Sequence, residues 1–180
     1  MDFRALRKHL RRGSLIAYPT ESCYGLGCDP ANRVAINRLL HLKRRPQAKG
    51  LILIAAAFRQ LRPYVAALTP AQQRQVNATW PGPHTWLLPA SANCPPWLTG
   101  KHHSIAVRIT AQPDAARLCR GLNMALVSTS ANQSGGKPAK TRRDCQRLFG
   151  SRVKILPGRI GKQRKPSTIQ DLATGKIIRK

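Results

Sequence analysis

Apolar residues in this chain follow two spacings that alternate from one end to the other. Short continuous runs, such as residues 51–55 and 125–128, predict buried strands, because each is too short for a helix. Elsewhere apolar residues recur every three or four positions, as at Phe3, Leu6 and Leu10, which predicts amphipathic helices. Strands that alternate with helices indicate an α/β fold, in which helices cover a sheet.

This pattern predicts six helices and a sheet that ends in a hairpin. The predicted helices cover residues 2–12, 29–43, 57–68 with an interruption near Pro63, 70–79, 113–121 and 141–149. The predicted strands cover residues 14–18, 51–55, 84–88, 104–109, 125–128, 152–156, 167–172 and 176–179. The last two form a hairpin around residues 173–175, so the sheet is expected to be mixed rather than all parallel. At 180 residues, we expect a single domain, 1–180.

Helix starts can be proposed from capping residues. Asp29 followed by Pro30 is a favourable start for the second helix, with Asp29 as the N-cap. Thr141 and Asp144 have the spacing of a capping box and predict the start of the last helix.

The charge of the chain is unusual for a globular protein. It has 32 Lys and Arg residues against 6 Asp and Glu, a formal net charge of +26. Such a field attracts polyanions, so RNA, DNA, nucleotides and acidic membrane surfaces are all candidate partners. The basic residues are spread through the chain, which favours a basic domain face over a disordered arm.

Composition also argues against several classes of protein. The five cysteines are an odd number without a Cys-x-x-Cys pair, which disfavours a disulfide framework or a four-cysteine zinc site. We therefore expect reduced thiols and a cytoplasmic location. Neither a signal peptide nor a run of about 20 apolar residues is present, so we expect no membrane association. Walker and Gly-x-Gly-x-x-Gly phosphate loops are also missing.

Two loops follow predicted strands and carry polar groups suited to ligand binding. Residues 126–138 pass from an apolar strand into hydroxyl residues, an amide, two glycines, a lysine and a proline. Residues 20–29 combine hydroxyls with one carboxylate, Glu21, a candidate for a metal or water contact. Ligands of open α/β sheets collect at strand ends, and bare N–H groups there can hold anions. Plain turns are the alternative, because the same residue types favour turns for local reasons.

Basic residues in two other places suggest contact with an anion. Arg108 lies within an apolar strand, so it must either pair with one of the few acids or face an anionic ligand. Lys43, Arg44 and Arg45 end a helix before Pro46, where we expect them to face solvent and to clamp phosphate. Stabilisation of the helix C-terminus by positive charge is the alternative for these three.

Several short segments occur together in an order that resembles the YrdC-like family. They are residues 18–27 (Tyr-Pro-Thr-Glu-Ser-Cys-Tyr-Gly-Leu-Gly), 43–46 (Lys-Arg-Arg-Pro), 49–54 (Lys-Gly-Leu-Ile-Leu-Ile), 80–83 (Trp-Pro-Gly-Pro), 106–108 (Ala-Val-Arg) and 128–132 (Ser-Thr-Ser-Ala-Asn). Within that family the chain is similar to the short bacterial threonylcarbamoyl-AMP synthases. The resemblance implies an α/β domain with a twisted mixed parallel/antiparallel sheet flanked by helices and a basic concave face.

The resemblance also implies roles for particular residues. The Lys-x-Arg and Ser-x-Asn motifs of the family fall on four residues that are implied to be catalytic: Lys43, Arg45, Ser130 and Asn132. The positions implied to bind ATP are Arg45, Lys49, Ser104, Ser130, Pro138 and Arg179. The positions implied to bind threonine are Ser22, Arg108, Ser128 and Ser167. No resident metal site is implied. Ser22 replaces a threonine common in relatives and keeps its hydroxyl.

The implied reaction joins L-threonine, bicarbonate or CO2, and ATP into threonylcarbamoyl-AMP and pyrophosphate. The enzyme would be a nucleotidyltransferase with ATP as substrate, accompanied by Mg²⁺, and no tightly bound cofactor. Its product would serve t6A modification at position 37 of tRNA, passing to downstream threonylcarbamoyl-transfer proteins. The alternative is a protein of the same fold that binds tRNA, rRNA or other double-stranded RNA through its basic face, for example in ribosome maturation.

Overall fold

The computed structural model describes all residues from 1 to 180. Its helices are α1 (Phe3–Arg11), α2 (Arg33–Lys43), α3 (Pro70–Asn77), α4 (Pro96–Thr99), α5 (Pro113–Leu122) and α6 (Arg142–Phe149). Its strands are β1 (Ile16–Pro19), β2 (Tyr24–Gly27), β3 (Ile52–Ala55), β4 (His84–Pro89), β5 (Ser104–Ile109), β6 (Leu126–Ser130), β7 (Lys154–Ile155), β8 (Thr168–Asp171) and β9 (Ile177–Arg179). None of these helices is long and apolar enough to cross a membrane.

All nine strands belong to one sheet, in the order β7-β1-β2-β6-β3-β5-β4-β8-β9. The pairs β1/β7, β3/β5 and β4/β8 are parallel. The pairs β1/β2, β2/β6, β3/β6, β4/β5 and β8/β9 are antiparallel. The expected mixed sheet is confirmed, and antiparallel pairing extends well beyond the predicted C-terminal hairpin.

Residues 20–29 were predicted to form a loop, but they contain a central strand of the sheet. Residues 24–27 instead form β2, because β1 turns back at Thr20 and pairs with it. Two of the four residues of β2 are glycines, which are depleted in strands, so its composition did not predict a strand. A Cβ on Gly27 would lie 2.7 Å from both Tyr18 Cε1 and Val127 O, so only glycine fits between the neighbouring strands.

The predicted start of the second helix was wrong. The second helix begins at Arg33, and its N-cap is Asn32, whose Oδ1 accepts a hydrogen bond from Ala35 N at 3.0 Å. Asp29 closes a local turn instead, because its Oδ1 accepts from Ala31 N.

The predicted helix over 57–68 is reduced to the short 3-10 turn Phe58–Gln60. The side chain of Gln60 accepts from Ala56 N at 2.8 Å and donates to Cys119 O at 2.7 Å, so it is engaged with the backbone on both sides of the turn. Between β4 and β5 the structure also has the short helix α4, which the sequence pattern did not predict.

Helices cover both faces of the sheet and bury a separate core on each. A cluster of 30 buried residues packs α2, α3, α4 and α6 against one face. A smaller cluster of 11 buried residues packs α1 and α5 against the other. Trp80 and Trp86 belong to the larger cluster.

The face under α1 and α5 is only partly covered. Alternate residues of a strand share a face, so Leu126 and Ser128 of β6 point to the same side. Leu126 pairs with Ile54 of β3, and both lie in the smaller core. Ser128 pairs with Ile52, and both line an open cavity instead. The candidate site therefore lies where the helices stop and the same sheet face continues.

Candidate active site

The cavity has a volume of about 440 Å³ and is lined mainly by polar residues. Its floor is formed by the central strands, with Gly25 of β2 opposite Ser130 of β6. Five cations line it: Arg45, Arg108, Lys140, Arg164 and Arg179. No carboxylate is among the lining residues, so the cavity suits a polyanionic ligand that also offers groups to hydroxyls.

Most of the predicted site residues lie together in this cavity. Those that line it are Ser22, Arg45, Arg108, Ser128, Ser130, Pro138, Ser167 and Arg179. Four others do not: Lys43, Lys49, Ser104 and Asn132. Lys49 is exposed on the turn Gln47–Lys49, and Ser104 is half-buried at the start of β5.

Lys43 lies beneath the cavity and does not face solvent, contrary to the prediction. Only 3% of its surface is exposed, and its ammonium donates to Ser130 O, to Asn132 O at 2.8 Å and to Asn132 Oδ1 at 3.0 Å. Burial, followed by repulsion from Arg45, lowers the pKa of Lys43 to about 8. The reason for the error is that the chain after β6 folds back over the end of α2, with Ser134 N donating to Lys43 O.

Asn132 extends the same network towards the cavity. Its Oδ1 accepts from Ser130 Oγ at 2.7 Å, and its Nδ2 donates to Gly136 O at 2.6 Å. Lys43 and Asn132 therefore fix the hydroxyl of Ser130, which lines the cavity. The Ser-x-Asn motif predicted from sequence acts here as one hydrogen-bonded unit with Lys43.

Of the two alternatives for Arg108, the structure shows the pairing with an acid, and it also leaves the residue at the cavity wall. It lines the cavity, and its Nη2 also lies 3.1 Å from Glu21 Oε2. The other oxygen of Glu21 accepts from Thr110 Oγ1 at 2.7 Å. Glu21, suggested as a metal or water contact, is thus held behind the cavity wall by Arg108 and Thr110.

Arg45 and Arg179 are also held in place by oxygen atoms of the chain. Arg45 Nη2 donates to Gly50 O at 3.0 Å, and Arg179 Nη2 donates to Ser167 O at 2.8 Å. Burial lowers the pKa of both guanidinium groups, and the pKa of Arg179 is lowered further by Arg108 and Arg45. The three guanidinium groups therefore repel one another, and an anion bound between them would relieve that repulsion.

Two lining cations were not singled out from the sequence. Lys140 Nζ donates to Ser22 O at 2.7 Å, which ties two parts of the cavity rim together. Arg164 lies on the loop between β7 and β8, which is anchored by Gly161 N donating to Thr20 O. The only sequence signal for Arg164 was the concentration of bases in residues 157–166.

Comparison with known proteins gives consistent results over the whole chain. The family model Sua5/YciO/YrdC, described as "Telomere recombination", matches residues 8–180. The chain is 62% identical over 179 residues to a threonylcarbamoyl-AMP synthase of Methylobacillus flagellatus, covering 99% of both chains. It is 58% identical to a threonylcarbamoyl-AMP synthase of Thiobacillus denitrificans, covering 97% of this chain and 93% of that protein.

Solved structures support the same relationship. P. abyssi Sua5 complexed with L-threonine superposes with a TM-score of 0.88 at 30% identity over 97% of this chain. This chain spans only about half of that protein, 52%. E. coli YciO superposes with a TM-score of 0.83 at 25% identity, covering 99% of this chain and 88% of that one. By its sequence and its fold, the chain belongs to the Sua5/YciO/YrdC family.

Proposed function

We propose that this chain is an L-threonylcarbamoyladenylate synthase, which makes threonylcarbamoyl-AMP and pyrophosphate from L-threonine, bicarbonate or CO2, and ATP. The observation that carries the proposal is the cavity itself, in which four arginines lie beside several serine hydroxyls on an uncovered sheet face. The names of relatives up to 62% identical over nearly the full chain support it. In class, the activity is a nucleotidyl transfer.

Threonine would bind at the part of the cavity around Arg108. A guanidinium pairs well with a carboxylate, because its N–H groups match the two oxygens. Ser22, Ser128 and Ser167 supply hydroxyls for the polar groups of threonine. Ser167 is fixed for this role, since Thr85 Oγ1 lies 2.9 Å from its Oγ.

ATP would bind around the remaining cations and Ser130. Arg45 and Arg179 would neutralise phosphate charge, and Lys140 and Arg164 would add to it. Pro138 lines the same part of the wall. Ser104 lies on the same face of β5 as Arg108, because the two are four residues apart in a strand. Lys49 is an exposed cation next to Gly50, whose carbonyl oxygen accepts from Arg45. For these two the proposal depends on the family resemblance.

The reaction needs no protein nucleophile. The threonine amine forms an N–C bond with CO2 and loses a proton, giving a carbamate. A carbamate oxygen then attacks the α-phosphorus of ATP while the bond to the pyrophosphate oxygen breaks. The residues of this chain would contribute orientation and charge stabilisation, which account for most of the catalysis in such transfers.

Mg²⁺ would enter as part of the ATP substrate and help to neutralise its phosphates. The lining residues include no carboxylate, and the oxygens of nearby Glu21 already contact Arg108 and Thr110. The residues present therefore fit a metal held mainly by phosphate oxygens rather than by the protein.

The test is release of pyrophosphate from ATP and Mg²⁺ in bicarbonate buffer, with L-threonine, with L-serine and without amino acid. We expect threonine-dependent release from the wild-type protein. Arg108→Ala should raise the KM for threonine far more than the KM for ATP, and Arg45→Ala should have the opposite effect. No threonine-dependent release, from folded protein that binds RNA with a steep salt dependence, would favour the RNA-binding alternative.

A further inference from the structure

Behind the candidate threonine site lies a buried ion pair that the reaction does not use directly. Glu21 and Arg108 are each 8% exposed, and 3.1 Å separates Glu21 Oε2 from Arg108 Nη2. The chain has 6 acidic residues against 32 basic ones, and its only other ion pair is the exposed Arg147–Asp144. Placing one of so few carboxylates here needs a specific reason.

The carboxylate of Glu21 is held by a hydrogen bond at Oε1 and by the charge of Arg108 at Oε2, which itself accepts no hydrogen bond. Thr110 Oγ1 donates to Glu21 Oε1 at 2.7 Å, and Gln112 N donates to Thr110 Oγ1 at 3.2 Å. Thr110 and Gln112 are themselves buried, at 2% and 5% exposed. The side chain of Glu21 therefore has one orientation, set by the backbone that follows β5.

Arg108 keeps an unused hydrogen-bonding group. Its Nε is buried and has no partner, although the residue lines the cavity. Because Nε itself is buried, the N–H groups of Arg108 that can meet a ligand in the cavity are those at the end of the guanidinium. Because Glu21 binds at Nη2, it limits rotation of the guanidinium and selects which N–H groups remain for the ligand.

We propose that Glu21, supported by Thr110, is a positioning residue that orients Arg108 for the carboxylate of the amino-acid substrate. This inference rests on the proposed synthase function. Glu21 acts through Arg108 and does not itself contact substrate. Its effect should therefore appear in the affinity for threonine, with little change in the affinity for ATP.

The first experiment uses Glu21→Gln, which keeps the shape of the side chain and removes its charge. In the pyrophosphate assay we expect the KM for threonine to rise by about tenfold or more. This is the effect of losing one hydrogen bond between Arg108 and the charged carboxylate of threonine. The KM for ATP and kcat at saturating threonine should stay within about twofold of wild type, because the phosphate-facing cations are untouched. An unchanged KM for threonine, or an equal rise in the KM for ATP, overturns the proposal.

A matched pair at Thr110 separates positioning from packing. Thr110→Val keeps the volume and removes the hydroxyl, whereas Thr110→Ser keeps the hydroxyl and removes a methyl group. We expect a raised KM for threonine in Thr110→Val and a value near wild type in Thr110→Ser. If Thr110→Ser is impaired as much as Thr110→Val, the role is packing and the proposal fails. If Glu21→Gln does not fold, the two Thr110 variants test the positioning role of Glu21 by themselves.

A double substitution tests whether Glu21 acts through Arg108. Residues that act as one unit are not additive, so Glu21→Gln should give no further rise in the KM for threonine in an Arg108→Met background. A further tenfold rise there would contradict the proposal. Wild-type protein without threonine-dependent activity would overturn the synthase function together with this inference. An active wild type with an unaffected Glu21→Gln variant would overturn the inference alone.

Discussion

At the scale of single residues, burial separates two cations that look alike in sequence. Lys43 and Arg45 are two residues apart at the end of α2. The Lys43 side chain is enclosed and donates to two carbonyl oxygens and one amide oxygen, whereas Arg45 lines the cavity with part of its surface free. Their substitution should therefore have different consequences for stability and for activity.

We expect Lys43→Ala to lower the free energy of unfolding by about 2–4 kcal/mol, because it leaves buried acceptors without a donor and opens a space. Arg45→Ala is the matched control, and it should change stability by less than about 1 kcal/mol while reducing pyrophosphate release strongly. Urea unfolding of the three proteins measures both effects. Equal stability of wild type and Lys43→Ala would contradict the buried role.

The lowered pKa of Lys43 predicts a pH dependence of stability. In the unfolded chain this lysine has its ordinary pKa of 10.5, and in the folded protein its pKa is about 8. Between these values the unfolded state holds more protons, so this group makes stability rise with pH from about 8 to 10.5. Below pH 8 both states are charged, and the cost of burying the charge is present in full.

The measurement is the difference in the free energy of unfolding between wild type and Lys43→Met, followed from pH 7 to pH 11. Lys43→Met lacks the titrating group, so the other lysines and tyrosines cancel in the difference. We expect wild type to gain stability relative to the variant across this window. A flat difference would show that Lys43 titrates normally.

At the scale of secondary-structure elements, the site depends on β2. This strand is stabilised by packing between its neighbours rather than by the intrinsic strand preference of its residues. β2 lies between β1 and β6, and all four of its residues are buried. It carries the glycine floor of the cavity and sets the position of the turn that holds Glu21. Its sequence, Tyr-Gly-Leu-Gly, has low intrinsic strand preference at two of four positions.

Gly27→Ala should lower stability by about 1–3 kcal/mol, because the added Cβ meets Tyr18 Cε1 and Val127 O at 2.7 Å. Gly136→Ala is the control: Gly136 is exposed, and the nearest atom to an added Cβ is Gln133 O at 3.3 Å. Thermal unfolding followed by circular dichroism compares the two variants. Similar melting temperatures for both variants would mean that the strands can separate to admit a methyl group.

At the scale of the whole molecule, repulsion between like charges opposes folding. The net charge is +26, and only two ion pairs offset it, Arg108–Glu21 and Arg147–Asp144. The rest of the charge is held on a compact chain, where mutual repulsion is stronger than in the expanded unfolded state. Salt should screen this repulsion more than it weakens the few attractive pairs.

We expect the melting temperature to rise by about 2–4 °C between 50 and 500 mM NaCl, as for a gain near 1 kcal/mol in a domain of this size. Potassium chloride over the same range is the control for ion-specific effects, and it should give the same rise. A fall in melting temperature with either salt would show that attractive pairs dominate the electrostatics.

Local sequence signals were sufficient for much of this protein. The continuous apolar runs located β3 and β6, and the Thr141–Asp144 capping box located the start of α6. Such signals involve residues close in the chain, so they can be read without knowledge of the fold. Eight of the site residues that the family resemblance implied also line one cavity.

Tertiary structure decided the features that depend on contacts between distant segments. β2 exists because β1 and β6 lie on either side of it, and Lys43 is buried because the chain after Ser130 returns over α2. The pairing of Glu21 with Arg108 joins positions 87 residues apart, and sequence alone left open whether Arg108 met an acid or a ligand. Burial and ion pairing are properties of the packed chain, so the candidate residues came from sequence and their positions and contacts came from the fold.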